Sequence, residues 1–362
     1  MRFALTDEQQ MLRESVRGAL TRELPLARVR ECLERRDGGA TMRALAAAQG
    51  WTGIGIDEDA GGQGGGVVEQ AVLAEELGYA ATPTSALIAG ALAARVLAAA
   101  GASRARQLVE ELAQGTRVVV VAIDSGGAAG PPAVAAGRAH GAVAHVLAAP
   151  EADVAIVIDA AGVAYAVDAR ASGCAVRPRD LVDPGRSIGD LDFDGAPAEP
   201  LGAGGGDLAA LGAVLVCAEA VGAAARLLEM TVEYVTQRQQ FGVVIGSFQA
   251  IKHTAADMLV EIETARSAVY HAAWALGSGD AAAALAVSTA KAYAAPAAAS
   301  VADKALALHG AVGFTWEHDL HLFLKRAHTA RALFGSTGAH RERVAVLLDL
   351  TGTAGRSPVG VA

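Results

Sequence analysis

Residues 234–266 read YVTQRQQFGVVIGSFQAIKHTAADMLVEIETAR. A long helix arrives from the N-terminal side and breaks at Arg238-Gln239-Gln240-Phe241-Gly242. A second long helix leaves after Ile245-Gly246-Ser247-Phe248-Gln249. The break offers a guanidinium fork suited to a phosphate or carboxylate, an aromatic face and a turn glycine. Ser247 is placed to N-cap the next helix. By chemistry alone, an ordinary helix–helix connection with a surface arginine would look the same.

Working outward, periodic apolar residues predict helices over Leu208–Gln237, Ser247–Leu276, Ala281–Leu308 and His318–Ala332, with Pro296 expected to kink or split the third. N-terminal to them, Arg117–Ile123, Val154–Ile158, Val163–Val167 and Ser187–Phe193 are strand-like runs bounded by Gly, Pro and Asp. The first stretch is helical again. Thr6 and Gln9 have capping-box form, a Gly-rich break covers Asp59–Gly66, and Val68–Leu77 is a helix that Gly78 is expected to stop. The fold class is α+β, in consecutive blocks: an N-terminal helical domain (1–115), a small middle β domain (116–205) and a C-terminal bundle of four helices (206–350). The Gly/Ser/Pro-rich tail 351–362 is expected to be disordered.

The 362 residues carry 30 Lys+Arg against 39 Asp+Glu, and this acidic balance excludes a generic nucleic-acid binder. Three scattered cysteines without a CxxC pair form neither a disulfide framework nor a zinc set, which points to a reducing, cytoplasmic setting. The N-terminus lacks the apolar core of a signal peptide. Mean hydropathy is +0.33, mostly from Ala and Gly. The most membrane-like run, Ala86–Ala99, carries Arg95 and is too short to span ~30 Å of hydrocarbon, so no membrane partner is expected. His318 and His321 have a spacing that metals use on helices, but no ExxH pairing completes a set and no metal is assigned. A second helix–turn, Ala307-Leu308-His309-Gly310-Ala311-Val312-Gly313-Phe314-Thr315, has small residues that let a flat ligand approach; a simple glycine C-cap explains it equally.

Together these segments resemble the acyl-CoA dehydrogenase family across nearly the whole chain. Residues 234–266 look like the family's R-x-x-F-G segment, and LALHGAVGFTWEHDLHLFLKRA (306–327) looks like its L-H-G-G-x-G-F-T segment. LTDEQQMLRESV (5–16) and DEDAGGQGGGVVEQAVLAEELG (57–78) fit its helical domain. The resemblance implies an FAD enzyme that desaturates an acyl-CoA thioester, with FAD lying across a subunit interface and an electron-transfer flavoprotein or similar acceptor. By position, Arg238 would meet the FAD pyrophosphate of a neighbouring subunit. Phe241 and Gln249 would line the adenosine-side groove, and Leu308, His309 and Gly310 its other wall.

The departures from the family pattern are specific. Where the family carries a T-E-P-x-x-G-S-D-like loop, this chain reads Ala122-Ile123-Asp124-Ser125-Gly126-Gly127. The catalytic carboxylate of the family occupies one of two positions, which fall here on Gly335 and Gly212, and the neighbouring substrate-contacting arginine position is Ala213. The one substitute is Glu219, seven residues after Gly212 on nearly the same helix face, in an apolar run that would raise its pKa; pairing with Arg226 is the competing account. Some members of the family form α2β2 assemblies in which one subunit is degenerate at the base and flavin-ring contacts and keeps the adenosine-side groove. This chain matches that pattern. The alternatives are a self-sufficient homo-oligomer using Glu219 or another base, and a flavin-free scaffold of the same fold.

Overall fold

Thr6 starts the first helix with its predicted capping box: its hydroxyl accepts from the Gln9 amide, and the Gln9 side chain accepts from the Thr6 amide. The computed structural model describes residues 4–37, 39–126 and 131–350; the tail expected to be disordered lies outside the described residues. Helices α1 (Asp7–Glu23), α2 (Leu26–Glu34), α3 (Ala40–Ala48), α4 (Val67–Tyr79), α5 (Ser85–Ala99) and α6 (Ser103–Ala113) come first.

Eight strands follow: β1 (Val119–Val121), β2 (Ala133–Ala135), β3 (Arg138–Leu147), β4 (Val154–Ile158), β5 (Val163–Asp168), β6 (Cys174–Pro178), β7 (Ile188–Pro197) and β8 (Glu199–Ala203). They form two four-stranded sheets, ordered β1-β4-β5-β8 and β2-β3-β7-β6, antiparallel except for the parallel β1–β4 pair. Val120, Ala155, Val157 and Val167 of the first sheet share one apolar cluster with Val143, Leu191 and Phe193 of the second, so the sheets pack face to face. β2, β3, β6 and β8 have no predicted counterpart. Their sequences are rich in Ala, Gly, His and Pro, and cross-strand pairing overrides that poor local preference.

The last block contains α7 (Leu208–Gln237), the two-residue strands β9 (Gln239–Gln240) and β10 (Val243–Val244), then α8 (Gln249–Ser278), α9 (Ala283–His309), α10 (Leu320–Thr329) and α11 (Thr337–Leu347). α11 adds a helix to the four predicted. The expected split at Pro296 does not occur: α9 runs as one helix, clamped by the buried Ala294, Ala295, Ala297 and Ala298 around the proline. α7 is apolar and long enough to cross a bilayer by composition, and 89% of its most apolar window is buried inside the protein.

Gly78 does not stop α4; it lies inside the helix. Its role is a close approach. A Cβ at Gly78 would sit 2.0 Å from the Glu219 carbonyl oxygen, and a Cβ at Gly222 would sit 1.8 Å from the Glu75 carbonyl oxygen. The two glycines let α4 and α7 cross backbone to backbone.

Candidate functional site: an uncovered hairpin and a filled cleft

At the end of α7 the Arg238 amide donates to the Tyr234 carbonyl (2.8 Å), and the Arg238 carbonyl accepts from the Ile245 amide (2.8 Å). The backbone is thus fixed on both sides, while the side chain is exposed and has no hydrogen-bond or ion-pair partner among the described residues. Phe241 and Gly242 form the hairpin tip, with φ of +54° and +79°, the double left-handed geometry that closes a two-residue turn. A phenylalanine is strained there, and it is also 92% exposed, its ring edge-to-face with Phe248 at 6.3 Å between centroids. Gln249 opens α8 and is exposed. Ser247 does not cap that helix, because its hydroxyl turns back to the Val244 carbonyl (2.7 Å). Val243, Phe248, Leu259 and Val260 extend the exposed apolar surface along α8. Strain, an unpaired guanidinium and uncovered aromatic area on one hairpin mark a surface made to be covered.

The second helix–turn arrives at the same end of the bundle, because His309 stacks on Tyr234 with ring centroids 4.6 Å apart. Leu308 is half-buried and Gly310 is exposed at φ +63°. The His309 side chain, expected on the groove's other wall, lies inward. It is buried, its Nδ1 is 2.8 Å from the Ala305 carbonyl, and its Nε2 is buried with no partner. His318 and His321 also go separate ways: His318 meets the edge of His309, and His321 stacks on Trp316.

Burial holds His309, His321 and His340 below the ordinary imidazole pKa of 6.5. The unfolded chain therefore takes up more protons than the folded one as the pH drops below about 6.5. Their contribution is fully present above that value and is lost as the pH falls toward the lowered folded-state values. The urea midpoint is expected to fall between about pH 7.5 and 5.5, and to fall less in His309→Gln. An equal drop in the variant would remove His309 from this account.

The two positions at which the resemblance places a base, Gly212 and Gly335, lie beside one another in the fold, and the side-chain space at both is taken by neighbours. A Cβ at Gly212 would lie 2.4 Å from the Phe334 ring. Phe334 is 4% exposed and held at φ +54°, and its amide donates to the Ser125 carbonyl, tying the 122–126 loop directly to the α10–α11 turn. Gly335 sits at φ +98°, and a Cβ there would lie 2.7 Å from His340 Nε2, which itself bonds the Phe334 carbonyl at 2.9 Å. The remaining space is a cavity of about 210 Å³ lined by Asp124, Asp207, Ser288, Phe334, His340 and Arg343 among others.

Glu219 is fully buried, and its partner is not Arg226, which instead pairs with Glu229 at 3.2 Å. One Glu219 oxygen accepts from Thr84 and from Arg326 (2.6 Å), and the other accepts from Arg186. Arg326 also reaches Asp183 at 2.6 Å and the Thr82 carbonyl at 2.9 Å. Burial pulls the Arg186 guanidinium below its usual pKa; for Arg326, Asp183 and Glu219 outweigh burial and raise it. Two acids and two guanidiniums make a neutral, closed quartet. It joins the α4–α5 turn, the β6–β7 connection, α7 and α10. Glu219 faces cations rather than a cleft, which is the setting of a structural anchor.

The chain thus runs as a helical block, a β-sandwich and a helical bundle, with an arginine–aromatic hairpin at one end of the bundle. The chain matches the family model "Acyl-CoA dehydrogenase, N-terminal domain" over residues 6–116 and "Acyl-CoA dehydrogenase, C-terminal domain" over residues 209–348. It is 35% identical over 336 residues to acyl-CoA dehydrogenase IpdE2 of Mycobacterium tuberculosis, covering 91% of this chain and 94% of that protein. Among solved structures it is similar to the ChsE4–ChsE5 complex of Mycobacterium tuberculosis (TM-score 0.84, 27% identity, 98% and 100% coverage). It is also similar to the Tcur3481–Tcur3483 steroid ACAD (TM-score 0.85, 26% identity, 96% and 99% coverage). The chain belongs to the acyl-CoA dehydrogenase family, whose members are oxidoreductases.

Proposed function

We propose that this chain is the non-catalytic partner subunit of a heteromeric, FAD-dependent acyl-CoA dehydrogenase. In this reading it covers the adenosine side of FAD held by a homologous catalytic subunit. One observation carries the reading: both carboxylate positions are glycines whose side-chain space is taken, by the Phe334 ring over Gly212 and by His340 against Gly335. Packing as well as sequence speaks against a base at these two positions. The similarity to the ChsE4–ChsE5 complex and to the Tcur3481–Tcur3483 steroid ACAD supports the same assembly.

On the adenosine-diphosphate side the residues fit FAD: the unpaired Arg238 fork suits a pyrophosphate, Phe241 offers an aromatic face, and Gln249 is exposed at the start of α8. His309, with Leu308 and Gly310 beside it, supports that wall from behind. On the ring side, the loop 122–126 is bonded straight to Phe334, which supports placing the flavin ring on the partner. When bound, FAD would supply the hydride acceptor for the acyl β-carbon. Arg238, Phe241 and Gln249 would bind and orient its diphosphate end and shield it from water. Electron-transfer flavoprotein or a similar carrier is the proposed acceptor, and the free thiols Cys32, Cys174 and Cys217 suit a cytoplasmic complex.

The test is flavin absorbance per chain, alone and after coexpression with a homologous subunit encoded beside it. Little flavin alone and about one FAD per pair of chains together is the expected result, with Arg238→Ala lowering the second figure. About one FAD per chain and turnover without a partner would instead establish a self-sufficient enzyme. No flavin under either condition would establish a scaffold.

A further inference from the structure

The turn that carries Phe334 over Gly212 is tied down at three points, and one of the ties titrates just below neutral pH. The Phe334 amide donates to the Ser125 carbonyl, Lys291 Nζ donates to the Ala330 carbonyl, and the Phe334 carbonyl lies 2.9 Å from His340 Nε2. These ties hold strained backbone in place, with Phe334 at φ +54° and Gly335 at φ +98°. A phenylalanine keeps that conformation only while its surroundings enforce it.

His340 is the buried residue of α11, with 8% of its surface exposed. A carbonyl only accepts, so Nε2 carries the ring proton and Nδ1 is the bare acceptor. Nδ1 is buried and has no hydrogen-bond partner among the described residues. The neutral ring therefore suits this place, since its one donor meets the Phe334 carbonyl. A proton added at Nδ1 would create a buried donor with no acceptor, and a charge with little water to solvate it.

The charged groups around the ring sharpen the choice. Lys291 faces it from α9 and Arg343 from the next turn of α11, and both oppose a charged imidazole. The acids are Asp207, which caps α7, and Asp124 of the 122–126 loop, and both line the 210 Å³ cavity that His340 also lines. Asp207 favours the charged ring, but in this arrangement it accepts from the Ala210 amide and lies 3.8 Å from Arg343. A charged ring is better served in the cavity, among carboxylates and water, than against the Phe334 carbonyl.

We propose that His340 is a proton-operated latch on the Phe334 plug: the neutral ring holds the plug over Gly212, and protonation at Nδ1 releases it and opens the cleft. Once His340 lets go, one tie fewer opposes the strain at residue 334. Withdrawal of the Phe334 ring then joins the space over Gly212 to the cavity. Burial is the largest influence on the ring and lowers its pKa, so the latch is closed at neutral pH and lets go below the ordinary imidazole value of 6.5. The device lies within this chain and does not depend on which subunit holds the flavin.

Hydrogen–deuterium exchange of the full chain, in its complex where one forms, would be followed over residues 331–336 from about pH 7.5 to about pH 4.5, corrected for the pH dependence of intrinsic exchange. The parent is expected to lose about tenfold or more of its protection there as the pH falls below about 6.5, while the interior of α7 keeps its own. His340→Gln keeps a side-chain N–H for the Phe334 carbonyl and takes up no proton, so it is expected to show no such loss. Arg343→Met removes a cation facing the ring and is expected to move the midpoint of the loss to higher pH. Constant protection in the parent, an equal loss in His340→Gln, or a loss in α7 that runs together with that of the turn would overturn the proposal. Should His340→Gln fail to fold, Arg343→Met carries the test, and an unmoved midpoint would overturn the latch.

Discussion

Replacing Arg326 by methionine is expected to destabilise the chain by about 3–5 kcal/mol, the cost of stranding a buried partner charge. Arg326 is buried and serves Asp183, Glu219 and the Thr82 carbonyl at once. Its removal leaves two carboxylates with Arg186 alone, whose Nε already lacks a hydrogen-bond partner. Urea denaturation followed by tryptophan fluorescence reads the loss. The informative companion is Arg326→Met with Asp183→Asn, which restores neutrality. It should recover part of the loss, since much of the penalty is the unpaired carboxylate rather than the missing contact. A single variant within about 1 kcal/mol of the parent would show that the quartet is not an anchor, and would return Glu219 to consideration as a titrating base.

Gly222→Ala is the second large effect. The added methyl would lie 1.8 Å from a main-chain oxygen of α4, so no side-chain rotation relieves the clash and the two helices must part. The expected cost is at or above the upper end of overpacking, about 3 kcal/mol, and Gly78→Ala should behave alike. Gly101→Ala is the control, since nothing lies within 4 Å of its added methyl, and it should stay within about 0.5 kcal/mol of the parent. Equal midpoints for Gly222→Ala and Gly101→Ala would mean that the crossing is looser than its geometry. Because the Gly78 contact falls on the Glu219 backbone itself, opening the crossing should also shift the quartet.

Several features were legible in the sequence because they depend on local signals. The Thr6 cap, the extent of α7, strands β4 and β5, and the break between α7 and α8 all follow from capping chemistry, periodicity, β-branched runs and a turn glycine. What escaped depends on contacts distant in sequence. Gly78 reads as a helix stop until α7 is laid across it. Glu219 reads as a lone acid in an apolar helix, because its cations lie 33 and 107 residues away. Phe334 carries no local mark, and its ring is explained only by the missing side chain at Gly212. The glycines at the two base positions could be read directly; that the space beside them is filled could not.

The Phe334 plug also bears on the history open to this chain. A glycine codon can reach an acidic one by a single base change, so a lost carboxylate would ordinarily be easy to regain. At position 212 the newcomer would strike the Phe334 ring, and at position 335 it would meet His340 on a backbone that L-residues resist. Each reversion needs at least one further substitution before it could be neutral. On the proposed reading, the Phe334 ring over Gly212 acts as a ratchet that lengthens the shortest mutational route to a catalytic subunit.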